Sequence, residues 1–457
     1  MSSTSDRPLT PEDYWQLLVE NLAPQRLGTE VVSLADSHGR TLADDAHATF
    51  SVPPFDNSAM DGFAVRGADF GDDAGHDDGP WEFAVVADIA AGHTPTARGD
   101  VEGTAREEVG QLPPAARIMT GAPMPAWADA VVPVEDTDAP RGASAAPRTV
   151  TVHRAPKPGA NVRLAGEDIA AEDLVVSAGS VISARTASTL AAIGYGEVEV
   201  VTRPRVAVLA TGAELAAPGE QLSPGMIPDS NSTLLALLVR EAGGQAVLAR
   251  TTGDTAADFG AALPTDVDLI VTSGGVSMGA FDPVKEYGLA HGWTFEKVAM
   301  QPGKPQGHGM AGSVPVIALP GNPVSVAVSF RLFVRPFIGR LLGQPDSLAS
   351  TTRMARAGPA WRSSPGRRQY LPGALLPGGS TVRSSANENL VDEGSTHGDS
   401  TAGGSTDGDG YDVVVPVHRL GSGSHLAASL HAAQVLAVVD AEVTEVKPGD
   451  LVQIIPL

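Results

Sequence analysis

The spacing of apolar residues changes character twice along this chain. Near its start, TPEDYWQLLVENL places Thr10 where an N-cap belongs, Pro11 at the first helical position and acids in the first turn, which predicts a helix. From Trp81 to about Val152 the apolar runs are short (WEFAVVADIAAG, RIMTGAPMP, AVVPVED, RTVTVHR) and separated by Gly/Pro turns, the pattern of short strands. SARTASTLAAIGYGEVEV reads as a short helix running into a strand. At Pro204 the texture shifts. RVAVLATG, QAVLARTTG, VDLIVTSGG and VPVIALPGNP are apolar runs ending in turn residues, as buried parallel strands do. Helical segments alternate with them: DSNSTLLALLVREAGG, with Asp229, Ser230 or Asn231 at its start, then TAADFGAAL, DPVKEYGLAHG and PVSVAVSFRLFVRPFIGRLLG. This alternation predicts a doubly wound α/β domain over residues 203–343. After residue 345 the pattern returns to strands and tight turns (RRQYLPGAL, YDVVVPVHR, QVLAVVDAEVTEVKPGDLVQIIPL). Residues 391–412, with almost nothing apolar, read as a disordered surface loop.

At 457 residues the chain is too long for a single core. No run of about 18 apolar residues predicts a membrane span, and the N-terminus lacks the basic and apolar regions of a signal peptide. There are no cysteines, so disulfides, thiolate metal sites and cysteine nucleophiles are excluded, which fits a cytoplasmic protein. A formal net charge of -23 argues against nucleic acid or an anionic membrane as partner. That charge also makes cations conspicuous. The chain has five lysines, Lys157, Lys285, Lys297, Lys304 and Lys447, and three of them fall between residues 285 and 304.

In open α/β sheets ligands bind beyond the carboxyl ends of the strands. Four strand ends here carry unusual turns: LATGAEL, ARTTGDT, VTSGGVSMGAFDPVK and ALPGNPVSV. In the third, Ser273, Gly274 and Gly275 follow the strand directly, so successive N–H groups can converge on an anion. Asp282 and Pro283 then open a helix whose N-terminus favours negative charge. In the fourth, Gly321 permits a sharp reversal, Asn322 can cap and Pro323 suits the first helical position. KVAMQPGKP lies between these turns, placing Lys297 and Lys304 near the same rim as phosphate or oxyanion contacts. Glu214, Asp254 and Asp282 lie just past three strand ends. Carboxylates beside a phosphorylated ligand call for a divalent cation, ordinarily Mg2+. No G-x-x-x-x-G-K-[ST] and no G-x-G-x-x-G opens the first strand, against a P-loop NTPase and a dinucleotide oxidoreductase.

The motifs PPFDNSAMDGFAV, RIMTGAPMP, AVVPVED, VRLAGEDI, LATGAEL, TSGGVSMGAFD, PGKP and LPGNPVS occur in one order along the chain. In that order the chain resembles the molybdopterin molybdenumtransferases, the MoeA family, to which the gephyrin E domain is similar. The resemblance implies a multidomain α/β plus β protein. Its central doubly wound α/β, Rossmann-like molybdopterin-binding domain would have β-rich flanking domains, within an elongated homodimer. Its domains would be residues 1–52 with 155–202 (linker and dimerisation), 53–154 (a small inserted β domain), 203–343 (α/β) and 344–457 (a C-terminal β-barrel-like domain). The implied reaction uses Mg2+ to insert molybdenum from molybdate into the dithiolene of adenylylated molybdopterin, releasing AMP. The cleft between the α/β and C-terminal domains of one subunit would face the small β domain of the other. The family's functional positions fall on Asp61, Thr120, Glu214, Asp282, Lys297, Lys304 and Ser424, and on Asp254 where spacing varies. The substrate would also meet Ser273, Gly274, Gly275, Ser277, Pro320, Gly321 and Asn322. Metal ligands would come from Asp61, Asp254, Asp282 and Glu214. The resemblance also implies the molybdopterin adenylyltransferase and molybdoenzyme acceptors or chaperones as partners.

Two departures stand out. Gln301 occupies a position where the family often has a second lysine, and Leu371–Pro372 stand where many relatives have an arginine. Arg367 or Arg368 is the available substitute. Two other readings are adenylylation of molybdopterin, performed by a related α/β domain, and a scaffold that keeps the fold without the chemistry. DNSAMDG and MTGAP argue against the first, and Asp61, Asp282 and the two lysines against the second.

Overall fold

The computed structural model describes residues 8–73, 79–92, 112–140, 142, 145–252, 255–276, 282–345, 352–377, 410–418 and 423–457. Ser277, Asp254 and residues 391–409 of the polar insert lie outside these.

The α/β domain runs β1 (Arg205–Thr211), α1 (Ser230–Glu241), β2 (Gln245–Thr252), α2 (Ala256–Ala262), β3 (Leu269–Ser273), α3 (Pro283–Ala290), β4 (Thr294–Lys297), β5 (Pro305–Ala311), β6 (Val314–Leu319) and α4 (Pro323–Ser329). The sheet order is β2-β1-β3-β6-β5-β4. The first four strands are parallel, with Val206 opposite Leu269 and Val271 opposite Ile317. The central parallel strands are largely apolar along their middles because both faces are covered. Val206, Val208, Leu269 and Val271 enter one core, whereas Ala207, Leu209 and Ile270 enter another with Phe259, Val284 and Trp293. The sheet differs from the expected parallel one at its β5–β4 edge, which is antiparallel. KVAMQPGKP is the connection that reverses the chain there.

The helical run beginning with α4 continues through a π turn (Phe330–Val334) to Leu341. Pro336 explains the interruption. It has no N–H to donate one turn back, and the Arg335 N–H reaches the Phe330 carbonyl five residues away. The N-terminal helix Pro11–Leu22 starts as expected, with a reciprocal bond pair between Thr10 and Asp13. It buries Tyr14, Trp15, Leu18 and Leu22 against this helical run, each worth about 2 kcal/mol of apolar burial.

In the C-terminal part, strands Arg368–Leu376, Val413–Pro416, Arg353–Ala357, Leu451–Pro456 and Val435–Val439 pair in that order. The last pairs back with the first, closing a five-stranded ring. Met300–Gln301 adds to the ring beside Arg368–Gln369. The lysine-bearing connection is thus hydrogen-bonded to the ring, and Tyr370, Leu436, Val438 and Ile455 join the α/β core. Residues 62–152 contribute a five-stranded sheet, order Ala130–Pro133, Gly62–Val65, Pro114–Ile118, Trp81–Ile89 and Thr149–Val152. Three two-stranded ribbons and helix Ala184–Ala192 join it to the rest. No helix among the described residues is long and apolar enough to cross a membrane.

Candidate functional site

The carboxyl ends of β1, β3 and β6 open into a cleft of about 1210 Å³ whose opposite wall comes from Arg367 and the segment around Ser424 in the C-terminal part. That exceeds the roughly 300–1,000 Å³ of an ordinary small-molecule pocket. It leaves room for a ligand of two joined parts.

The floor is backbone. Gly274 and Gly275 follow β3 with φ of +89° and +80°, values open to glycine at little cost. A Cβ on Gly275 would lie 2.3 Å from Val284 Cγ2, and one on Gly274 2.8 Å from the Thr211 carbonyl. The chain therefore curls as tightly as the anion cradle requires. The turn after β6 closes on it, since a Cβ on Gly321 would meet Gly274 Cα at 3.4 Å. Asn231 fastens these turns together, donating from Nδ2 to Ser273 Oγ (2.9 Å) and to the Gly321 carbonyl (2.6 Å). The sequence marked Asn231 only as one of three possible helix starts. Asp229 takes the capping role, accepting from the Ser232 N–H at 3.0 Å, and this frees Asn231 to face the cleft. That division of labour was the missed signal.

Asn322 likewise sits at a helix start without capping it. Its Nδ2 donates to Ser424 Oγ across the cleft at 2.8 Å, and the Val324 N–H donates to the Ser424 carbonyl at 3.1 Å. The α/β rim and the C-terminal segment are thereby tied at one point. The structure separates the two arginines: Arg367 lines the cleft, whereas Arg368 pairs with Glu12 and Asp440. It separates the two lysines as well. Lys304 lines the cleft beside Gln301 and Gly303. Lys297 is exposed at the end of β4, opposite Pro305, and is not among the cleft residues. Pro320 and Glu214 complete the predicted residues the cleft brings together. Asp282 lies behind the cradle. Its Oδ1 accepts from the Lys285 N–H at 3.1 Å and would be 2.9 Å from a Cβ on Gly275.

Asp61 and Thr120 stand apart. They belong to the small β sheet, where Asp61 borders a different cavity of about 570 Å³ with Arg117 and Met119. Asp61 Oδ1 accepts from both the N–H and the hydroxyl of Thr120, each at 2.7 Å. The backbone bond first, and the hydroxyl bond second, hold the Asp61 pKa below the ordinary carboxylate value. The group is therefore a persistent anion, suited to a cation or a charged substrate and poorly suited to carrying a proton near neutral pH. Among the described residues no three His, Cys, Asp or Glu side chains gather as a metal site. The four predicted metal ligands are thus not assembled: Asp254 lies outside the described residues, and Asp61 borders another cavity. Glu214, exposed on the cleft wall, remains as a predicted ligand that lines the cleft, and one carboxylate suits an ion completed by ligand phosphate and water; Asp282, behind the cradle, caps α3.

Comparison with known proteins converges on one family. Residues 9–194 match the MoeA N-terminal region (domain I and II), and residues 207–340 match a probable molybdopterin binding domain. The chain is 44% identical over 327 residues to molybdopterin molybdenumtransferase 2 of Mycobacterium tuberculosis, covering 69% of this chain and 76% of that protein. It is 34% identical over 369 residues to the molybdopterin molybdenumtransferase of Nostoc sp., covering 78% and 80%. The crystal structure of a molybdopterin biosynthesis MoeA protein from Pyrococcus horikosii superposes with a TM-score of 0.72 at 28% identity, covering 98% of this chain and 99% of that one.

Proposed function

The chain belongs to the molybdopterin molybdenumtransferases, and from that premise we propose that it inserts molybdenum from molybdate into the dithiolene of adenylylated molybdopterin, releasing AMP. Its place in molybdenum cofactor biosynthesis follows from the family. The reading of the reaction rests on one observation above the others: a single cleft sets a glycine cradle on one wall against Lys304 and Arg367 on others. In a protein with net charge -23, such a cleft is a local exception suited to an anion.

The side chains divide the work as follows. The Gly275 N–H would hold a phosphate, the Gly274 N–H being taken by the Leu319 carbonyl at 3.1 Å, and the dipole of α3, which starts behind the cradle, would add to the attraction. Lys304 and Arg367 offset the charge of molybdate and the phosphates, Arg367 taking the place of the arginine missing at Leu371–Pro372. Asn322 and Ser424 orient the ligand between the walls, and Asn231 keeps the two turns in register. Glu214 would hold Mg2+, which when bound would offset phosphate charge as AMP leaves, and Asp282 would support the cradle from behind. Lys297, outside the cleft, would act as a field on incoming anions.

Asp61 and Thr120 would complete the site from a second subunit. The region around the two-stranded ribbons exposes Val31, Phe50, Leu164, Leu174 and Val181, which supports a homodimer formed through the segments at 1–52 and 155–202. The domain limits then follow as residues 53–154, 203–343 and 344–457. The place of work would be the cytoplasm, between an adenylyltransferase that supplies the substrate and a molybdoenzyme that accepts the product.

The test is AMP release by the purified protein from adenylylated molybdopterin and Mg2+, with and without molybdate. Molybdate-dependent release, with a product that activates an apo-molybdoenzyme, is expected. Tight binding without release would assign the chain to a scaffold. Consumption of ATP with release of pyrophosphate would move it one step earlier.

A further inference from the structure

We propose that Gln306 is a positioning residue for the anion site, fixing through Gly303 and Ser329 where Lys304 presents its charge. The inference rests on the cleft role given to Lys304 above. Gln306 is fully buried on β5, two residues after the exposed Lys304. Its Nε2 donates to the Gly303 carbonyl at 2.6 Å and to Ser329 Oγ at 2.7 Å. The Gly303 carbonyl leaves no choice of amide orientation, since an oxygen placed there would face another acceptor. The peptide entering Lys304 is therefore pinned from inside the protein. The peptide leaving it is pinned too, because the Lys304 carbonyl accepts from the Val298 N–H at 2.8 Å. Gly303 has φ of +100°, and a Cβ there would lie 3.0 Å from both Ser329 Oγ and Met300 Cε. The loop is seated directly on Ser329, the last residue of α4. The first turn of α4 lies at the cleft through Asn322 and Pro323. One helix thus sets both the Gly321–Asn322 turn and the lysine loop.

The amide's contribution to stability is mixed, two buried hydrogen bonds from Nε2 set against an unpaired oxygen. Gln306 Oε1 is buried with no hydrogen-bond partner, and a buried unpaired acceptor is costly. An apolar side chain of the same length would avoid that cost but would leave the Gly303 carbonyl and the buried Ser329 hydroxyl without this donor. What it could not do is hold the Gly303 carbonyl and, with it, the base of the Lys304 side chain. A point charge works on an anion only from a fixed place, and a displacement of about 1 Å at such a site can cost up to about a hundredfold.

The experiment compares Gln306→Met, Lys304→Ala and the double variant in the full-length protein, measuring melting temperature and KM for molybdate and for adenylylated molybdopterin separately. Gln306→Met is expected to melt within a few degrees of wild type and to raise the molybdate KM about tenfold, with a smaller change for the pterin. Combined with Lys304→Ala it should add nothing, because it acts through that lysine. Full additivity, or both KM values rising together with a falling melting temperature, would reduce Gln306 to a packing residue. If Lys304→Ala itself leaves the molybdate KM unchanged, the role of Lys304 is wrong and the inference falls with it. Should Gln306→Met not fold, Ser329→Ala, which removes one partner of the amide, must raise the same KM by a smaller factor, and an unchanged KM overturns the proposal.

Discussion

His308 shows how a residue far from any chemistry can set the pH range of the protein. It is 1% exposed, its Nε2 lies 2.9 Å from Asn21 Nδ2, and its ring meets Tyr14 edge-on. Burial lowers its pKa from 6.5 to about 4. The folded state therefore stays neutral while the unfolded chain takes up a proton below pH 6.5. Stability is complete above pH 6.5 and falls as pH drops toward 4, by up to about 3 kcal/mol at 1.36 kcal/mol per pH unit. Urea unfolding at pH 7 and pH 4.5 should show this loss, and His308→Phe should remove most of the difference. An equal loss in the variant would place the effect elsewhere. Asp61 obeys the same rule with a different outcome. Its lowered pKa depends partly on the Thr120 hydroxyl. Thr120→Val keeps the backbone bond and removes the hydroxyl, so the acid limb of the kcat/KM profile should move to higher pH. Asp61→Asn should cost about a hundredfold or more in kcat at pH values above the acid limb, as loss of a preorganised charge does.

At the scale of elements, two helix starts that look alike in the sequence behave differently. Asp229 caps α1 through its carboxylate, so Asp229→Ala should cost about 1 kcal/mol in denaturant unfolding. Asn322 makes no capping bond. Asn322→Ala should leave stability nearly unchanged and instead raise substrate KM severalfold by releasing Ser424. If Asn322→Ala melts as low as Asp229→Ala, its side chain serves the helix after all. This contrast also shows where the sequence was legible. Apolar period, cap residues and glycines act within a few positions, and they located β1, β3, β6, their helices and the two cradle turns. The antiparallel β5–β4 edge was not visible because pairing across a sheet depends on neighbours distant in sequence, and the π turn was not because a proline inside a helix can be met by a kink, a break or a wider turn. The same limit applied to the site. Gly274, Gly275, Gly321 and Lys304 announced themselves through turn chemistry and charge. Asn231 and Gln306 did not, because an amide gains its meaning only from the carbonyl it reaches, here Gly321 and Gly303.

For the molecule as a whole, the separation of Asp61 from the cleft is the fact that most needs a physical account. One chain places Lys304, Arg367 and the glycine cradle around one cavity and Asp61 with Arg117 around another. If Asp61 takes part in the reaction, it reaches a cleft either from a second chain or by movement of the small sheet within its own. Symmetry makes the first arrangement simple: in a C2 dimer each cleft would receive the small sheet of its partner, and both sites would form at once. The consequence is measurable by complementation. Asp61→Asn and Lys304→Ala subunits, each strongly impaired as homodimers when assayed at low molybdate, are co-expressed in equal amounts. Half of the dimers are then mixed, and in each mixed dimer one site collects both substitutions while the other collects none. About one quarter of wild-type molybdate-dependent AMP release should return. Activity no higher than that of the two parent variants would mean that each chain completes its own site. Asp61 would then reach the cleft only through a movement of the small sheet within its own subunit.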